Sequence, residues 1–190
     1  MKPLTREFFA RDTTQVARDL IGKVLAKGDE MAIITETEAY KGKCDPASHA
    51  RPRKRERNKY MYDTVGHIYV YLIYGVNYCL NFTTEGEWKP WAVLIRGLLP
   101  IKGIKKMQTR RGKDLPPSKL ADWPWKLTKA LGIDLSRNWK DLFASDLQIF
   151  DAWLQLPVET TPRIGISKAK DYPWRFVVPR EELKKLERYI

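Results

Sequence analysis

The chain has 190 residues, the usual size of one globular domain, and its 43% hydrophobic content is enough for a core without covalent support. A formal net charge of +12 restricts the main partner to something anionic, namely nucleic acid, an acidic membrane surface or an acidic protein. Two cysteines without a CxxC pair and two histidines argue against a disulfide framework and a metal site.

Targeting signals are not apparent in the sequence. The first residues lack the apolar region of a signal peptide, and no apolar run approaches the roughly 18 residues of a spanning helix. We therefore expect a soluble cytoplasmic protein (nuclear if the source is eukaryotic) with no membrane association. We also expect a monomer with no obligate protein partner.

The first third of the chain predicts a helix followed by two strands. Asp12 can cap the helix with Gln15 as its capping-box partner, and Gly22 stands where the helix should end. Strand patterns follow at 23–26 and 31–38, separated by a turn at 27–29. Residues 43–60 carry no periodic apolar pattern and predict a long loop, which in a compact domain is usually functional or disordered.

The middle of the chain predicts a β-hairpin. Residues 67–74 and 78–82 are rich in β-forming side chains, and Gly75-Val76-Asn77 between them favours a turn. A further strand is expected at 91–98.

The remainder predicts a basic helix or loop at 102–113, a short helix capped by Asp122 and ending near Gly132, and strands at 148–150, 163–166 and 175–178. A C-terminal helix should begin at Pro179. The whole pattern indicates an α/β (mixed α+β) fold. Residues 1–190 should form one domain on a curved, largely antiparallel sheet, with a protruding hairpin and helices at both chain ends.

Two acids stand at alternate positions where the strand 31–38 ends. Glu36 and Glu38 would project from one face of the sheet, and a carboxylate at a strand end beside a loop suits general-base activation of water. The alternative is an edge strand that carries solvated glutamates.

An aromatic ring stands at the tip of the predicted hairpin. Tyr74 precedes Gly75, and an exposed ring in such a turn is typical of a wedge that opens a duplex from the minor groove. The alternative is a tyrosine that packs on its neighbours, as most strand tyrosines do.

A dense basic run lies in the long loop. Arg53, Lys54 and Arg57 belong to it, and phosphate contacts there would anchor a duplex beside the candidate acid and the hairpin. Six basic residues between 102 and 113 would form a second anchor. A run of charges is otherwise a solvated surface.

An ordered series of motifs resembles the alkyladenine (3-methyladenine) DNA glycosylase family over nearly the whole chain. The series comprises Glu36-Thr37-Glu38-Ala39-Tyr40, Ser48-His49-Ala50, Arg57-Asn58, Gly66 to Gly75, Tyr78-Cys79-Leu80-Asn81, Val93 to Gly97, Lys126-Leu127 and Pro162 to Ile166. Asp122-Trp123-Pro124-Trp125 departs from the family pattern, in which small residues precede Lys-Leu.

The resemblance implies a role for individual residues. It implies that Glu38 is the general base, and that Arg96 and the Ile164 carbonyl hold the attacking water. Tyr40 and His49 would enclose the flipped base, Tyr71 would pack at the pocket edge, and Asn81 would exclude ordinary guanine. Tyr74 would fill the gap in the duplex, and Arg57 would contact a phosphate.

The function that these roles imply is excision of alkylated or deaminated purines from double-stranded DNA by hydrolysis of the N-glycosidic bond, leaving an abasic site. The resemblance implies that this reaction requires no metal and no organic cofactor. Three alternatives remain at this point: a non-catalytic protein that binds damaged DNA, a basic domain that binds RNA or a nucleotidyl carrier, and a bifunctional lyase that uses a lysine nucleophile.

Overall fold

The computed structural model describes residues 1–50, 58, 61–62, 64–86 and 88–190. In that part of the chain, nine strands and six α-helices lie in the order β1 (Lys2–Pro3), α1 (Arg6–Phe9), α2 (Thr13–Asp19), β2 (Val24–Lys27), β3 (Glu30–Lys41), β4 (Ile68–Ile73), β5 (Asn77–Gly86), β6 (Lys89–Lys102), α3 (Ile104–Arg111), α4 (Pro117–Leu120), α5 (Pro124–Leu131), β7 (Leu147–Asp151), β8 (Glu159–Thr161), β9 (Arg175–Val177) and α6 (Arg180–Glu187). Short 3-10 turns lie at Gly42–Cys44, Leu135–Arg137 and Leu142–Ala144.

All nine strands belong to one sheet, in which every described pairing of strands is antiparallel. The main order is β1-β7-β2-β3-β6-β5-β4, and β9 pairs with both β3 and β8. The fold prediction of a mixed α/β architecture on a largely antiparallel sheet is therefore confirmed.

Strand β3 lies at the centre of the sheet. The set of its side chains that points into the core changes along its length. Its register with β6 shifts at Ile34–Glu36 and again at Glu36–Thr37. Because of this irregularity, Ile34 in the first half and Ala39 in the second enter the same core. Glu36 and Glu38 consequently face the opposite side of the sheet, together with Tyr40. A local register shift of this kind re-aims side chains beside functional sites.

The core lies between the sheet and helices α1 to α5, each of which contributes buried side chains. Its fully buried members include Phe9 and Leu20 near the N-terminus, Phe82 and Ile95 in the sheet, and Leu127 of α5. Asp12 caps α2 as predicted, since its side chain accepts hydrogen bonds from the backbone N–H groups of Thr14 and Gln15.

Several predicted boundaries are wrong. Strands β3, β5 and β6 extend well beyond the predicted segments because burial against their neighbours outweighs local breakers such as Pro90 and Pro100. Residues 163–166 form no strand; the strand in this region is β8 at Glu159–Thr161. The residue Asp122 does not cap α5. Trp123 is the N-cap, and Asp122 instead accepts from Lys126 at 2.9 Å.

No helix in the described part of the chain is long and apolar enough to cross a membrane. In the same residues, no three side chains of His, Cys, Asp or Glu lie together as a group that would hold a metal ion.

Candidate active site

A cavity of about 350 Å³ opens beside the second half of β3. Its walls come from β3, the β4–β5 hairpin, β6, the start of α5 and the segments 45–50 and 162–166. Every residue predicted to bind the base lines this cavity, as does Arg96: Tyr40, His49, Tyr71, Asn81, Arg96 and Ile164. The topology thus brings together residues from distant parts of the sequence, such as Tyr40 and Ile164.

Glu38 lies directly behind the cavity wall, in contact with the lining residues Tyr40, Arg96 and Ile164, and has no solvent-exposed surface. Its Oε1 accepts from the Ile164 backbone N–H at 2.9 Å, and its Oε2 accepts from the Tyr40 hydroxyl at 2.6 Å. Burial raises the pKa of Glu38 above the ordinary value of 4.5, while Arg96 and these two hydrogen bonds oppose that rise. A fixed carboxylate with a raised pKa has the properties of a general base.

Arg96 holds both acids of the motif. Its Nε donates to Glu36 Oε1 at 2.7 Å and lies 3.3 Å from Glu38 Oε1. Burial by itself would lower the pKa of Arg96, but Glu38 and Glu36 outweigh it and raise that pKa, so the guanidinium stays charged. Its Nη2 is buried and has no hydrogen-bond partner among the residues that the structure describes. The prediction that both acids project from one face is confirmed by their common contact with Arg96.

A buried ion pair beneath Tyr40 fixes two walls of the cavity. Arg163 and Asp45 form two hydrogen bonds at 2.5 and 2.8 Å, and both side chains are fully buried. The guanidinium also lies 4.6 Å from the Tyr40 ring centroid and donates to the Ala39 carbonyl. The pair therefore joins segment 45–50, which carries His49, to segment 162–166, which carries Ile164. Sequence reasoning missed it, although an arginine in the apolar setting of Pro162 to Ile166 was a signal that it needed a buried anion.

The aromatic wall of the cavity is built on the hairpin. The rings of His49 and Tyr71 meet edge to face at 4.5 Å, and Tyr69 lies 3.2 Å from His49 Nδ1 through its hydroxyl. Burial raises the pKa of Tyr71 well above 10 and that of Cys79 to about 11, so both stay neutral. Tyr71 therefore supplies a ring face without a charge.

Asn81 is held rigidly in this wall. Its Nδ2 donates to the Tyr69 carbonyl at 3.0 Å, and Tyr69 is its partner in the β4–β5 register. Because the nitrogen is engaged by the backbone, the orientation of the amide is fixed before any ligand arrives.

The tip of the hairpin is exposed and conformationally unusual. Tyr74 has 90% of its surface exposed and a φ of 51°, and Gly75 follows at 72°. β4 ends at Ile73, so Tyr74 belongs to the turn and not to the strand as predicted. An L-residue in this left-handed region costs energy, and this ring recovers none of it by packing.

Trp123 forms a part of the rim that sequence reasoning did not assign. Its ring lies 5.1 Å from the Arg96 guanidinium, and 42% of its surface is exposed. Behind it, Trp125 contacts the guanidinium of Arg111 at 5.1 Å.

Three of the six residues of the second predicted basic anchor are engaged within the protein. Arg110 pairs with Glu30, Lys106 pairs with Asp29, and Arg111 is buried and donates to the Leu120 carbonyl. The first predicted anchor, Arg53, Lys54 and Arg57, lies outside the described residues and stays a prediction.

Comparison with known proteins agrees with this geometry. Residues 7–182 match the family described as "Methylpurine-DNA glycosylase (MPG)". A Rickettsia felis protein named "Putative 3-methyladenine DNA glycosylase" is 47% identical over 176 residues, which cover 92% of each chain. Proteins of the same name from Rickettsia conorii and Rickettsia prowazekii are 46% and 42% identical, with 93% of this chain covered in both.

The fold and the site define a protein with a buried acid beside a cavity of about 350 Å³ that is lined by aromatic side chains. The chain belongs to the methylpurine-DNA glycosylase family, a class of DNA repair enzymes.

Proposed function

We propose that the protein removes damaged purines, such as 3-methyladenine, 7-methylguanine, hypoxanthine and ethenoadenine, from double-stranded DNA. The nucleotide is flipped into the cavity, Glu38 activates a water that attacks C1′ of the sugar, and the N-glycosidic bond breaks to leave an abasic site. The reaction is monofunctional, so the DNA strand stays intact.

The observation that carries this proposal is the setting of Glu38. An acid buried on all sides is costly unless it is paired, and Glu38 is held by Arg96, the Tyr40 hydroxyl and the Ile164 N–H at the wall of an aromatic cavity. A protein that only bound damaged DNA would gain nothing from this arrangement.

The cavity suits the chemistry of an alkylated purine. Such a base carries positive charge, which makes it a good leaving group and attracts it to the ring faces of Tyr40 and Tyr71. As the bond breaks, positive charge develops on the sugar, and the Glu38 carboxylate stabilises it while orienting the water. Arg96 Nη2, which lacks a partner in the described part of the chain, supports the proposed role of Arg96 in holding this water.

Tyr74 supports the flipping step. Its exposed ring at the end of the hairpin has the size and position for a wedge that occupies the space of the extruded nucleotide. The basic residues Arg53, Lys54 and Arg57 are proposed to contact the phosphates.

Glu38→Gln tests the proposal on duplexes that carry one lesion each, with free base and alkali-labile sites as readouts. Glu30→Gln is the matched control, because Glu30 is also a buried acid of β3 in an ion pair with arginine, but its partner Arg110 does not line the cavity whereas the partners of Glu38 do. We expect Glu38→Gln to bind without excising, at a loss of roughly 100-fold or more, and Glu30→Gln to excise normally.

Two outcomes would contradict the proposal. Normal excision by Glu38→Gln would remove Glu38 as the base. If neither the wild type nor the variant excised any lesion while both bound damaged duplex tightly, the non-catalytic binding protein would be the better account. Trapping with borohydride on abasic DNA would expose a lyase.

A further inference from the structure

Glu36 is the acid of the Glu36-Thr37-Glu38 motif to which the proposed reaction assigns no role. It is nevertheless almost buried on the same face of β3 as Glu38, with a side chain that is 12% exposed. Its position depends on the register shift of β3 and on Gly97, since a Cβ atom at Gly97 would approach the Glu36 Cβ to 3.1 Å. The sheet is thus built to bring this second acid close to the site.

The contacts of Glu36 differ from those of Glu38. A single Nε–H of Arg96 serves both acids, and it donates to Glu36 at 2.7 Å while Glu38 lies at 3.3 Å. Glu36 Oε1 also accepts from Arg175 Nε at 2.7 Å, and Arg175 is anchored by Thr161 of β8. Glu36 therefore pairs with both Arg96 and Arg175. Its contact with Arg96 Nε is shorter than that of Glu38.

We propose that Glu36 is a positioning residue for the reaction: by retaining the Nε–H of Arg96, it limits how strongly the guanidinium engages Glu38 and so keeps Glu38 able to accept a proton from water. The inference rests on the proposed function of Glu38. It assigns Glu36 no contact with the substrate.

Among the described charged and titratable groups around Glu38, Glu36 is the one that fits this role. Among the described residues these groups are Glu36 and Tyr40 of β3, Tyr71 of β4, Cys79 of β5, Arg96 of β6, Arg175 of β9, His49 of segment 45–50 and Arg163 of segment 162–166. Tyr40, Tyr71 and Cys79 stay neutral because burial raises their pKa values. Glu36 is therefore the second anion in this set, and its charge raises the pKa of Glu38 while Arg96 lowers it.

The decisive measurement is the pH profile of single-turnover excision from a duplex with one 7-methylguanine. This base is already positively charged, so its departure needs no proton donor and the acid limb reports the general base. In Glu36→Gln the neutral amide holds the Nε–H of Arg96 less strongly and no longer repels the charge on Glu38, so we expect the acid limb to move to lower pH by roughly one unit, with a plateau several-fold lower because the base is weaker.

Substitution of Arg175 should move the acid limb in the opposite direction. Arg175→Met leaves Glu36 dependent on Arg96 alone and removes a positive charge from the network, so the acid limb should move to higher pH. Arg175→Lys retains the charge and should remain near the wild-type profile, as should Glu30→Gln. A merely structural role for Glu36 would lower the rate at every pH without moving the limb, and that result would overturn the inference.

Failure of this inference is distinguishable from failure of the proposed function. If Glu38→Gln excises normally, the assignment of the base fails and this inference fails with it. If Glu38→Gln is inactive while Glu36→Gln and Arg175→Met titrate like the wild type, only the role of Glu36 is overturned. Circular dichroism shows whether Glu36→Gln folds; if it does not, Arg175→Met decides alone, since an upward shift supports the inference and an unmoved limb refutes it.

Discussion

The ion pair between Asp45 and Arg163 is expected to be a major contributor to the stability of the site. Asp45→Ala leaves the Arg163 guanidinium buried with the Ala39 carbonyl at 3.0 Å and the Ala169 carbonyl at 3.4 Å as its described acceptors. Arginine cannot release its proton to relieve this burial. Removal of one partner from a fully buried pair costs about 3–5 kcal/mol, which is a large part of the roughly 5–15 kcal/mol that stabilises a typical protein.

The assay is urea and thermal unfolding of Asp45→Ala beside the wild type. For a chain of this size, 1 kcal/mol corresponds to roughly 2–4 °C, so the midpoint should fall by roughly 6–20 °C. Asp29→Ala is the matched control, because Asp29 pairs with Lys106 at 2.8 Å but both side chains are more than half exposed. Such exposed pairs contribute little, and the control should unfold near the wild type.

The double variant Asp45→Leu with Arg163→Met separates the pair from its surroundings. It removes both charges and should recover part of the loss, although the Ala39 carbonyl and the Ala47 N–H also lose partners. A loss below about 1 kcal/mol for Asp45→Ala would refute the reasoning, because it would mean that water or another anion compensates the guanidinium.

Three further predictions concern the site itself. Arg96→Met removes the cation that lowers the pKa of Glu38, so the acid limb of 7-methylguanine excision should move to higher pH by roughly 1–3 units, whereas Arg96→Lys should stay closer to the wild type; an unmoved limb in Arg96→Met would contradict this. Burial raises the pKa of Glu38 above 4.5, so the native state holds this proton more tightly, and stability is lost as pH rises from 4.5 through the folded pKa. At pH 8, Glu38→Gln should therefore unfold at a higher denaturant concentration than the wild type, by about 1.4 kcal/mol for each pH unit by which folding raises the pKa of Glu38. Below pH 4.5 the variant should lose this advantage. Tyr74→Gly relieves a left-handed residue at no packing cost and should not lower the unfolding temperature, yet it should excise poorly from duplex DNA; Trp88→Gly, at another exposed turn with positive φ, should leave excision unchanged, and equal loss in both variants would refute a wedge at Tyr74.

Local patterns predicted the elements whose signals lie within a few residues. The cap at Asp12, the hairpin and the C-terminal helix depend on turn and capping chemistry that is written locally. The lengths of β3 and β6 could not be predicted in this way, because those strands extend wherever neighbours supply hydrogen bonds and cover. The same holds for β8, whose pairing with β9 is a property of the sheet and not of its own three residues.

The same distinction between local and long-range signals applies to the candidate site. The type and spacing of Glu36 and Glu38 predicted their common face, and the ordered motifs indicated Arg96, Tyr40 and His49. The way in which Arg96 is shared between two acids could not be predicted, because it depends on a register shift within β3 and on the side chain of Arg175 from β9. The Asp45–Arg163 pair spans 118 positions, and no local pattern links its members.

Three features of the site disfavour folding, and all three lie around one cavity. Glu38 is an acid whose charged form is disfavoured by burial, Arg96 Nη2 is a buried donor with no hydrogen-bond partner among the described residues, and Tyr74 is an exposed ring in a left-handed turn. Their coincidence in one place indicates that another requirement maintains them. The proposed excision of a flipped base would supply that requirement for all three at once: a base that takes a proton, a donor that awaits a ligand and a ring that enters the duplex. Glu38→Gln and Tyr74→Gly should therefore fold at least as well as the wild type and catalyse less, whereas variants of the Asp45–Arg163 pair should lose both stability and activity.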